Sequence, residues 1–382
     1  QTFDKNASPS AYLRSSGGAE YGARFDYTKD GDKKGLLIEE QRTNLFLNSD
    51  TNTWVQGLNN DSVIRLDNYA ISPSGVKDAP KFITTSNNVL KIISPTGAAP
   101  TIGTSTLFTF SCFIKKGNTD YVRMYHNDST SFGVTFNLAT GQVHSTTNNG
   151  DSNIEDYGNG WYRCWYSHTT PSTHSVGSTY IYPTDENGTI THANEWSVHL
   201  WQPQAELGGF PTSLVPTRGS TSTRAADTVK VDGTNFSRFF KDTEGTFVID
   251  IQMPKGWKDA IFNYFFSASD NGSNSHRINF YGRPDQTYLS GHIQSGSAVD
   301  VNLSTVSTID LDGGEISRHA IAYKEDDGRY SGDGDVFAVT DTSVTLPVGI
   351  DRLDIGQRYI GSQVMTGWFR RLRYFNKRKT NA

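Results

Sequence analysis

Short segments in which apolar and polar residues alternate recur along most of the chain. Clear examples are Leu107–Lys116, Phe132–Asn137 and Thr246–Met253. A period of two predicts β-strands that turn one face to a core. Turn signals rich in Gly, Pro and Asn separate these segments, as at Tyr157–Gly160. Short strands at such regular spacing predict β-sandwiches or jelly rolls rather than alternating strands and helices.

The predicted strands fall into two blocks, which suits two domains in a chain of 382 residues. We assign residues 44–216 to a first β-sandwich domain and residues 231–382 to a second. Residues 217–230 have no apolar periodicity and are interpreted as a linker. Residues 1–43 are polar and rich in Gly at first, and are interpreted as an extended N-terminal arm that packs on the first domain or on a neighbouring subunit. The predicted fold class is all-β, with two tandem β-sandwiches.

Composition and charge do not alter the predicted fold, but they argue against nucleic-acid binding and membrane insertion. The net charge is −5, and basic residues cluster only at the C-terminus, in Arg370–Arg373 and Lys377–Lys379. Because nucleic-acid binding needs a coherent basic face, we expect no nucleic-acid partner. No run approaches the roughly 18 apolar residues of a membrane span, so we expect no membrane insertion.

The two cysteines, Cys112 and Cys164, both lie in predicted strands. They are too few for a disulfide scaffold or a cysteine zinc site. Both side chains could point into one core as free thiols, and a single disulfide between them is the alternative.

Three segments resemble parts of a known group of proteins. They are Gly35–Asn44 (GLLIEEQRTN), Pro203–Asp227 (PQAELGGFPTSLVPTRGSTSTRAAD) and Gly367–Ala382 (GWFRRLRYFNKRKTNA). They are similar to segments of bacteriophage tail-fibre and other virion proteins. There they frame a jelly-roll carbohydrate-binding-type module followed by a concanavalin A/laminin-G-like domain. The resemblance implies the same two sandwiches here, in the same order.

The resemblance also implies a location and partners. It implies a virion protein of the tail or another surface appendage, assembled as a homotrimer and in contact with other virion proteins. It further implies binding to host-surface polysaccharide. The host, the glycan and the position on the virion are not specified by the sequence.

Residues that could carry catalysis are not found in the expected patterns. Retaining glycosidases need two carboxylates about 5 Å apart, and the strand Thr246–Met253 offers only Asp250. No Gly-x-Ser-x-Gly nucleophile turn is present. We therefore expect no catalytic residues and a protein that is not an enzyme.

Sugar recognition combines aromatic faces that stack on pyranose rings with a few placed polar groups. Trp257 and Trp54 are the strongest candidates, because each lies in a polar segment where burial is harder to arrange. The full set of predicted glycan-binding residues is Trp54, Trp201, Gln202, Trp257, Tyr281 and Arg283.

No cofactor is required by these interpretations, although one structural Ca²⁺ fits the resemblance. Jelly-roll modules of this type often hold such an ion near their first and last strands. By that resemblance alone, the candidate oxygen ligands are Glu39, Asn44 and Asp227.

Three functional hypotheses follow. The first is a non-enzymatic virion protein that binds host glycans. The second is a purely structural virion component, such as a head fibre, an adaptor or a decoration protein. The third is a polysaccharide depolymerase, for which the sequence supplies no site.

Overall fold

The computed structural model describes most of the chain. The described residues are 23–54, 63–84, 92–93, 100–127, 132–148, 150–189, 195–257, 263–270, 275–283, 288–296, 299–305, 314–332, 339–359 and 361–380. Within these ranges, the side chains of residues 92–93, 283, 288, 299–300 and 304–305 lie outside the description.

Nearly all regular structure in the described ranges is β-strand. The strands of the first half are β1 (Phe25–Tyr27), β2 (Lys33–Ile38), β3 (Arg42–Asn44), β4 (Val63–Ile71), β5 (Lys77–Thr84), β6 (Ile92–Ile93), β7 (Thr101–Ile102), β8 (Leu107–Lys116), β9 (Tyr121–His126), β10 (Phe132–Asn137), β11 (Gln142–Thr147), β12 (Asp151–Asp156), β13 (Trp161–Thr169), β14 (His174–Ser175), β15 (Thr179–Thr184) and β16 (Trp196–Leu207). Those of the second half are β17 (Ser222–Arg224), β18 (Val229–Asp232), β19 (Glu244–Gln252), β20 (Asn263–Ser269), β21 (His276–Arg283), β22 (Tyr288–Ser295), β23 (Val299–Thr305), β24 (Ile316–Lys324), β25 (Gly328–Gly332), β26 (Val339–Asp341), β27 (Arg352–Ile355) and β28 (Gly367–Phe375). Helical turns are short: 3₁₀ turns at Thr51–Thr53 and Val176–Ser178, and helix α1 at Gly233–Ser237. No helix in the described part of the chain is long and apolar enough to cross a membrane.

The first compact unit, which includes residues 42–225, is a β-sandwich. A six-stranded sheet has the order β12-β13-β8-β16-β5-β4, and a five-stranded sheet has the order β11-β10-β9-β15-β6. Successive side chains of β8 point to opposite faces of the six-stranded sheet. Phe108, Phe110 and Cys112 join the core between the sheets, whereas Phe113 joins a smaller cluster on the opposite face.

Cys112 and Cys164 lie directly opposite each other on β8 and β13. Both are buried free thiols. Of the two alternatives left by the sequence, the structure shows the free thiols in one core.

The second compact unit, which includes residues 33–41 and 226–382, is also a β-sandwich. A seven-stranded sheet has the order β1-β2-β28-β19-β24-β25-β26, and a six-stranded sheet has the order β18-β27-β20-β21-β22-β23. Aromatic rings join the two layers: Phe247 meets Phe266 at 4.6 Å between ring centroids, and Phe280 meets Tyr330 at 5.6 Å. The predicted all-β class with two β-sandwiches is confirmed.

Residues 1–22 of the predicted N-terminal arm lie outside the described part of the chain, and residues 33–41 are placed differently from the prediction. Strand β2 pairs with the C-terminal strand β28, with Leu36 opposite Phe369. Gly35 permits this approach, because a Cβ at that position would lie 2.4 Å from the carbonyl oxygen of Phe369. Residues 33–41 therefore form part of the second sandwich. The predicted linker also contains regular structure, since β17 pairs with β3 inside the first unit.

Candidate functional site

The outer face of the six-stranded sheet in the second unit is polar. Strand β21 explains why, since alternate residues of its sequence HRINFYGR differ in character. Ile278 and Phe280 point to the core between the sheets. Arg277, Asn279 and Tyr281 take the intervening positions and therefore lie on the other side of the sheet.

Register extends this polar character across neighbouring strands. Asn279 lies opposite Ser267 on β20 and opposite His292 on β22, and His292 lies opposite Asn302 on β23. A second row runs parallel to the first, with Arg277 between Ser269 and Gln294. Together with Tyr281, Ser290 and Asp354, these residues make up what we call the polar face: Ser267, Ser269, Arg277, Asn279, Tyr281, Ser290, His292, Gln294, Asn302 and Asp354.

Hydrogen bonds orient several of these side chains. The Ser267 hydroxyl donates to Asn279 Oδ1 at 2.6 Å. The Tyr281 hydroxyl lies 2.7 Å from His292 Nε2. Tyr281 also packs against Tyr264, with 5.0 Å between ring centroids. The face therefore combines fixed hydrogen-bonding groups with a buried pair of aromatic rings at one end.

Some polar atoms of the face are buried without a partner. Asn279 and Ser269 are fully buried and Gln294 is nearly so. Among the described residues, Asn279 Nδ2, Ser269 Oγ and Gln294 Oε1 have no hydrogen-bond partner. Buried polar groups are almost always paired, and an unpaired one costs about 1–3 kcal/mol. Because Asn302 at the end of the same row is exposed, the row leads from solvent to unpaired buried atoms.

Electrostatics keep the imidazole of this face neutral. Burial, and to a smaller extent the charge of Arg277, lowers the pKa of His292 to about 4. Burial also lowers the pKa of the Arg277 guanidinium. At neutral pH, His292 therefore presents one donor and one acceptor nitrogen, which suits hydroxyl groups.

The predicted residues of the second unit have different outcomes. Tyr281 lies on the polar face. Arg283 follows on the same strand and in the same alternation, but its side chain lies outside the described part. Trp257, expected on an exposed loop, is buried with 2% exposure. Its ring face is therefore not presented to solvent, although its segment is polar.

The predicted residues of the first unit do not form an exposed site either. Trp54 is buried, and its ring contacts Phe46 and Phe82. Trp201 is also buried and packs edge-on against Phe113, with 5.3 Å between ring centroids. Gln202 follows it at an irregularity in the β16–β8 pairing, with a positive φ of 48°. The expectation that Trp54 is exposed was wrong, because it packs in the core between the sheets, and Trp201 packs in the smaller cluster on the opposite face.

The candidate calcium ligands are already engaged within the protein. Arg24 forms ion pairs with both Glu39 and Asp227, and Asp227 also accepts a hydrogen bond from the Glu39 amide at 2.8 Å. Burial lowers the pKa of Arg24, but the two carboxylates more than offset this and raise it. Asn44 uses its side chain inside the first unit, where it bonds Val215, Phe46 and Ala205.

These contacts do not fit a calcium site, which needs six to eight oxygen ligands. A guanidinium supplies the positive charge between Glu39 and Asp227. Among the described residues, no group of three or more His, Cys, Asp or Glu side chains could hold a metal ion. Asp250, the single carboxylate of the predicted strand Thr246–Met253, accepts hydrogen bonds from Arg371 at 3.0 and 2.5 Å.

The sequence analysis missed most of the polar face. Ser267, Asn279 and Asn302 are small residues without a motif, and their relation depends on the register of four strands. The available signal was the polar residue at every second position of β21, which a half-buried strand shows anyway.

Comparison with known proteins gives only distant similarity. No protein-family model matches the sequence, and no curated protein matches it. Among solved structures, NanB with Optactamide is 13% identical with a TM-score of 0.33, over 40% of this chain and only 25% of that chain. The Ruminococcus gnavus IT-sialidase CBM40 is 12% identical with a TM-score of 0.31, over 37% of this chain and 79% of that one. Domains LG4-5 of the mouse laminin α1 chain are 10% identical with a TM-score of 0.28, over 90% of both chains.

Proposed function

We propose that the protein is a non-enzymatic bacteriophage virion protein of a tail fibre or related appendage, and that it binds host-surface glycans. The phage assignment is supported by the three sequence segments described above. The glycan assignment is supported by the polar face. Its single most informative feature is the row from exposed Asn302 to fully buried Asn279, whose Nδ2 has no partner.

The chemistry of this row suits sugar hydroxyls. An amide, a neutral imidazole and serine hydroxyls each both donate and accept hydrogen bonds, as a sugar hydroxyl does. Tyr281 and Tyr264 lie at one end of the row as a buried, mutually packed pair, which holds the Tyr281 hydroxyl in place. Recognition sites of small ligands usually have this composition, with a few placed polar groups beside aromatic residues.

Adhesion by single sugar sites is weak, so we propose that the protein acts as a homotrimer attached to other virion proteins. Linked sites raise the overall avidity by orders of magnitude without any new contact. The oligomer should therefore be preserved in every binding measurement, and its mass should be determined first.

The experiment is a binding survey of the full oligomer against bacterial surface polysaccharides, followed by two variants. Tyr281→Phe keeps the ring but removes the hydroxyl that contacts His292. Asn279→Asp keeps the shape but removes the free amide donor. Each should weaken binding about tenfold, since the loss of one hydrogen bond in a buried site costs roughly 1–2 kcal/mol.

A matched control is Asn376→Asp, an exposed position in the same unit. It should leave the affinity unchanged. Thermal unfolding of each variant separates lost binding from lost folding. No saturable binding to any polysaccharide would reject the adhesion proposal. Full affinity in both variants would reject this site.

A second candidate function is a purely structural virion component. It is favoured by exposed apolar side chains on the edge strand β4, namely Ile64, Leu66, Tyr69 and Ile71. Such a row suits contact with another virion protein. Retained glycan binding in an oligomer with charged residues at these positions would argue against it.

A further inference from the structure

The outer face of the five-stranded sheet in the first unit carries a second group of residues that the polar face does not explain. On β9, Val122 and Met124 join the core, so Arg123 and Tyr125 lie on the opposite side. On β15, Ile181 joins the core, and Tyr180 and Tyr182 lie on that same outer side.

Register brings these four residues together. Tyr180 lies opposite Tyr125, and Tyr182 lies opposite Arg123. The Tyr125 and Tyr180 rings are nearly parallel, at 14°, with 6.2 Å between centroids. The Tyr182 ring stands edge-on to Tyr125 at 6.1 Å. We call this group, Arg123, Tyr125, Tyr180 and Tyr182, the tyrosine face.

Arg123 is held in place by its neighbours, and the described residues supply no counter-charge to it. Its guanidinium lies 5.7 Å from the Tyr125 ring centroid and donates to Thr147 Oγ1 at 3.0 Å. In the described part of the chain, no carboxylate forms an ion pair with it. Asp185 lies in the turn that contains Gly188, where its carboxylate accepts hydrogen bonds from the amides of Asn187 and Thr189.

Two glycines leave room for this guanidinium. A Cβ at Gly133 would lie 2.8 Å from Arg123 Nη2, and a Cβ at Gly188 would lie 2.9 Å from Nη1. Any larger side chain at either position would push the guanidinium aside. The space around an unpaired cation is therefore formed by neighbouring strands and by the turn that follows β15.

We propose that the tyrosine face binds an acidic sugar residue through its carboxylate. A guanidinium binds a carboxylate through two parallel hydrogen bonds, and its remaining donors on this face can take that role. The partly buried Tyr125 and Tyr180 rings offer an apolar surface to the C–H groups of the sugar ring. This inference rests on the proposed glycan binding and deepens it, because it assigns a charged ligand to a site in the other unit.

The test uses the full chain and defined acidic probes: oligomers of galacturonate, of glucuronate and of a nonulosonic acid. Galacturonate oligomers whose carboxyl groups have been reduced to alcohols are the matched neutral probe. We expect saturable binding of at least one acidic probe, at least tenfold weaker binding after carboxyl reduction, and weaker binding at high salt.

Variants then locate the binding. Arg123→Gln should weaken acidic-probe binding at least tenfold, and Arg123→Lys should restore only part of it, because lysine keeps the charge but lacks the planar fork. Arg218→Gln, an exposed arginine in the same unit, should bind as the parent does. Unchanged thermal unfolding shows that each variant is folded.

Two results would overturn the inference: no saturable binding to any acidic probe, or undiminished binding by folded Arg123→Gln. Neither result bears on the polar face, which is tested with bacterial surface polysaccharides and with variants in the other unit. Conversely, failure of the Tyr281 and Asn279 variants to affect polysaccharide binding leaves the test of Arg123 with defined acidic probes intact.

Discussion

Replacing Trp54 distinguishes a role of this residue in ligand binding from a role in stabilising the fold. Trp54 follows the 3₁₀ turn Thr51–Thr53 and is 2% exposed. Its ring lies 5.7 Å from Phe46 and 6.0 Å from Phe82, and Nε1 donates to the Asn48 carbonyl at 2.9 Å. Truncating a buried Trp to Ala typically costs about 3–5 kcal/mol. We expect Trp54→Ala to destabilise the first unit by that amount.

Differential scanning calorimetry of the full chain measures this effect. For a unit of this size, each kcal/mol lowers the melting temperature by about 2–4 °C, so the transition of the first unit should fall by roughly 10 °C. Trp54→Phe is the control. It keeps most of the apolar contact and loses the hydrogen bond to Asn48, so it should cost only about 1–2 kcal/mol. An unshifted transition in Trp54→Ala, together with lost glycan binding, would refute the reasoning and restore Trp54 as a ligand residue.

Two further predictions concern buried titratable groups of the first unit. Burial, together with the charges of Lys81 and Lys115, lowers the pKa of His199 to about 4. The unfolded chain therefore takes up this proton first, and stability should fall by on the order of 2 kcal/mol as the pH drops from about 6.5 to 4. Urea unfolding at several pH values should show that the free energy of unfolding depends less on pH in His199→Gln than in the parent. The same pH dependence in both proteins would contradict the lowered pKa of His199. Burial also raises the pKa of both Cys112 and Cys164, so a thiol reagent at pH 8 should modify both only after denaturation, and rapid modification of the folded protein would show that the core is open.

Strand positions could be predicted well, because the period of two is a local property. The predicted segments Leu107–Lys116 and Phe132–Asn137 are strands β8 and β10 with the same bounds, and the predicted Thr246–Met253 corresponds to β19 at Glu244–Gln252. In each case the alternation of apolar and polar residues within the segment predicts which face of the strand is buried. The all-β class and its division into two sandwiches therefore followed from the sequence.

The place of the N-terminal segment could not be predicted in the same way. Strand β2 belongs to the second sandwich because it pairs with β28, more than 300 residues further along the chain. No local pattern in GLLIEEQ reports that partner. The ion pairs of Arg24 with Glu39 and Asp227 arise from the same long-range arrangement. The sequence identified Glu39 and Asp227 as candidate calcium ligands but did not predict that Arg24 pairs with both.

Site residues were hardest to predict, for a related physical reason. The polar residues around Trp54 and Trp257 in the sequence predicted that both rings are exposed. Both are buried instead, because a large aromatic side chain gains free energy by packing against other apolar groups. The polar face could not be predicted for a different reason. Asn279 has no distinguishing feature within its own strand. Its proposed role depends on Ser267 and His292, which the strand register places beside it.

The two faces differ in chemistry, and this difference gives each a separate signature in one binding measurement. The row of the polar face from Asn302 through His292 to Asn279 offers neutral groups, since the pKa of His292 is lowered to about 4. Recognition of a neutral glycan there should change little with ionic strength. The tyrosine face depends on the charge of Arg123, whose attraction for an acid at an accessible site is screened by salt. If the protein binds a glycan that contains both neutral and acidic residues, raising the salt concentration should remove only the second contribution. Binding that remains at high salt should then depend on Tyr281 and not on Arg123.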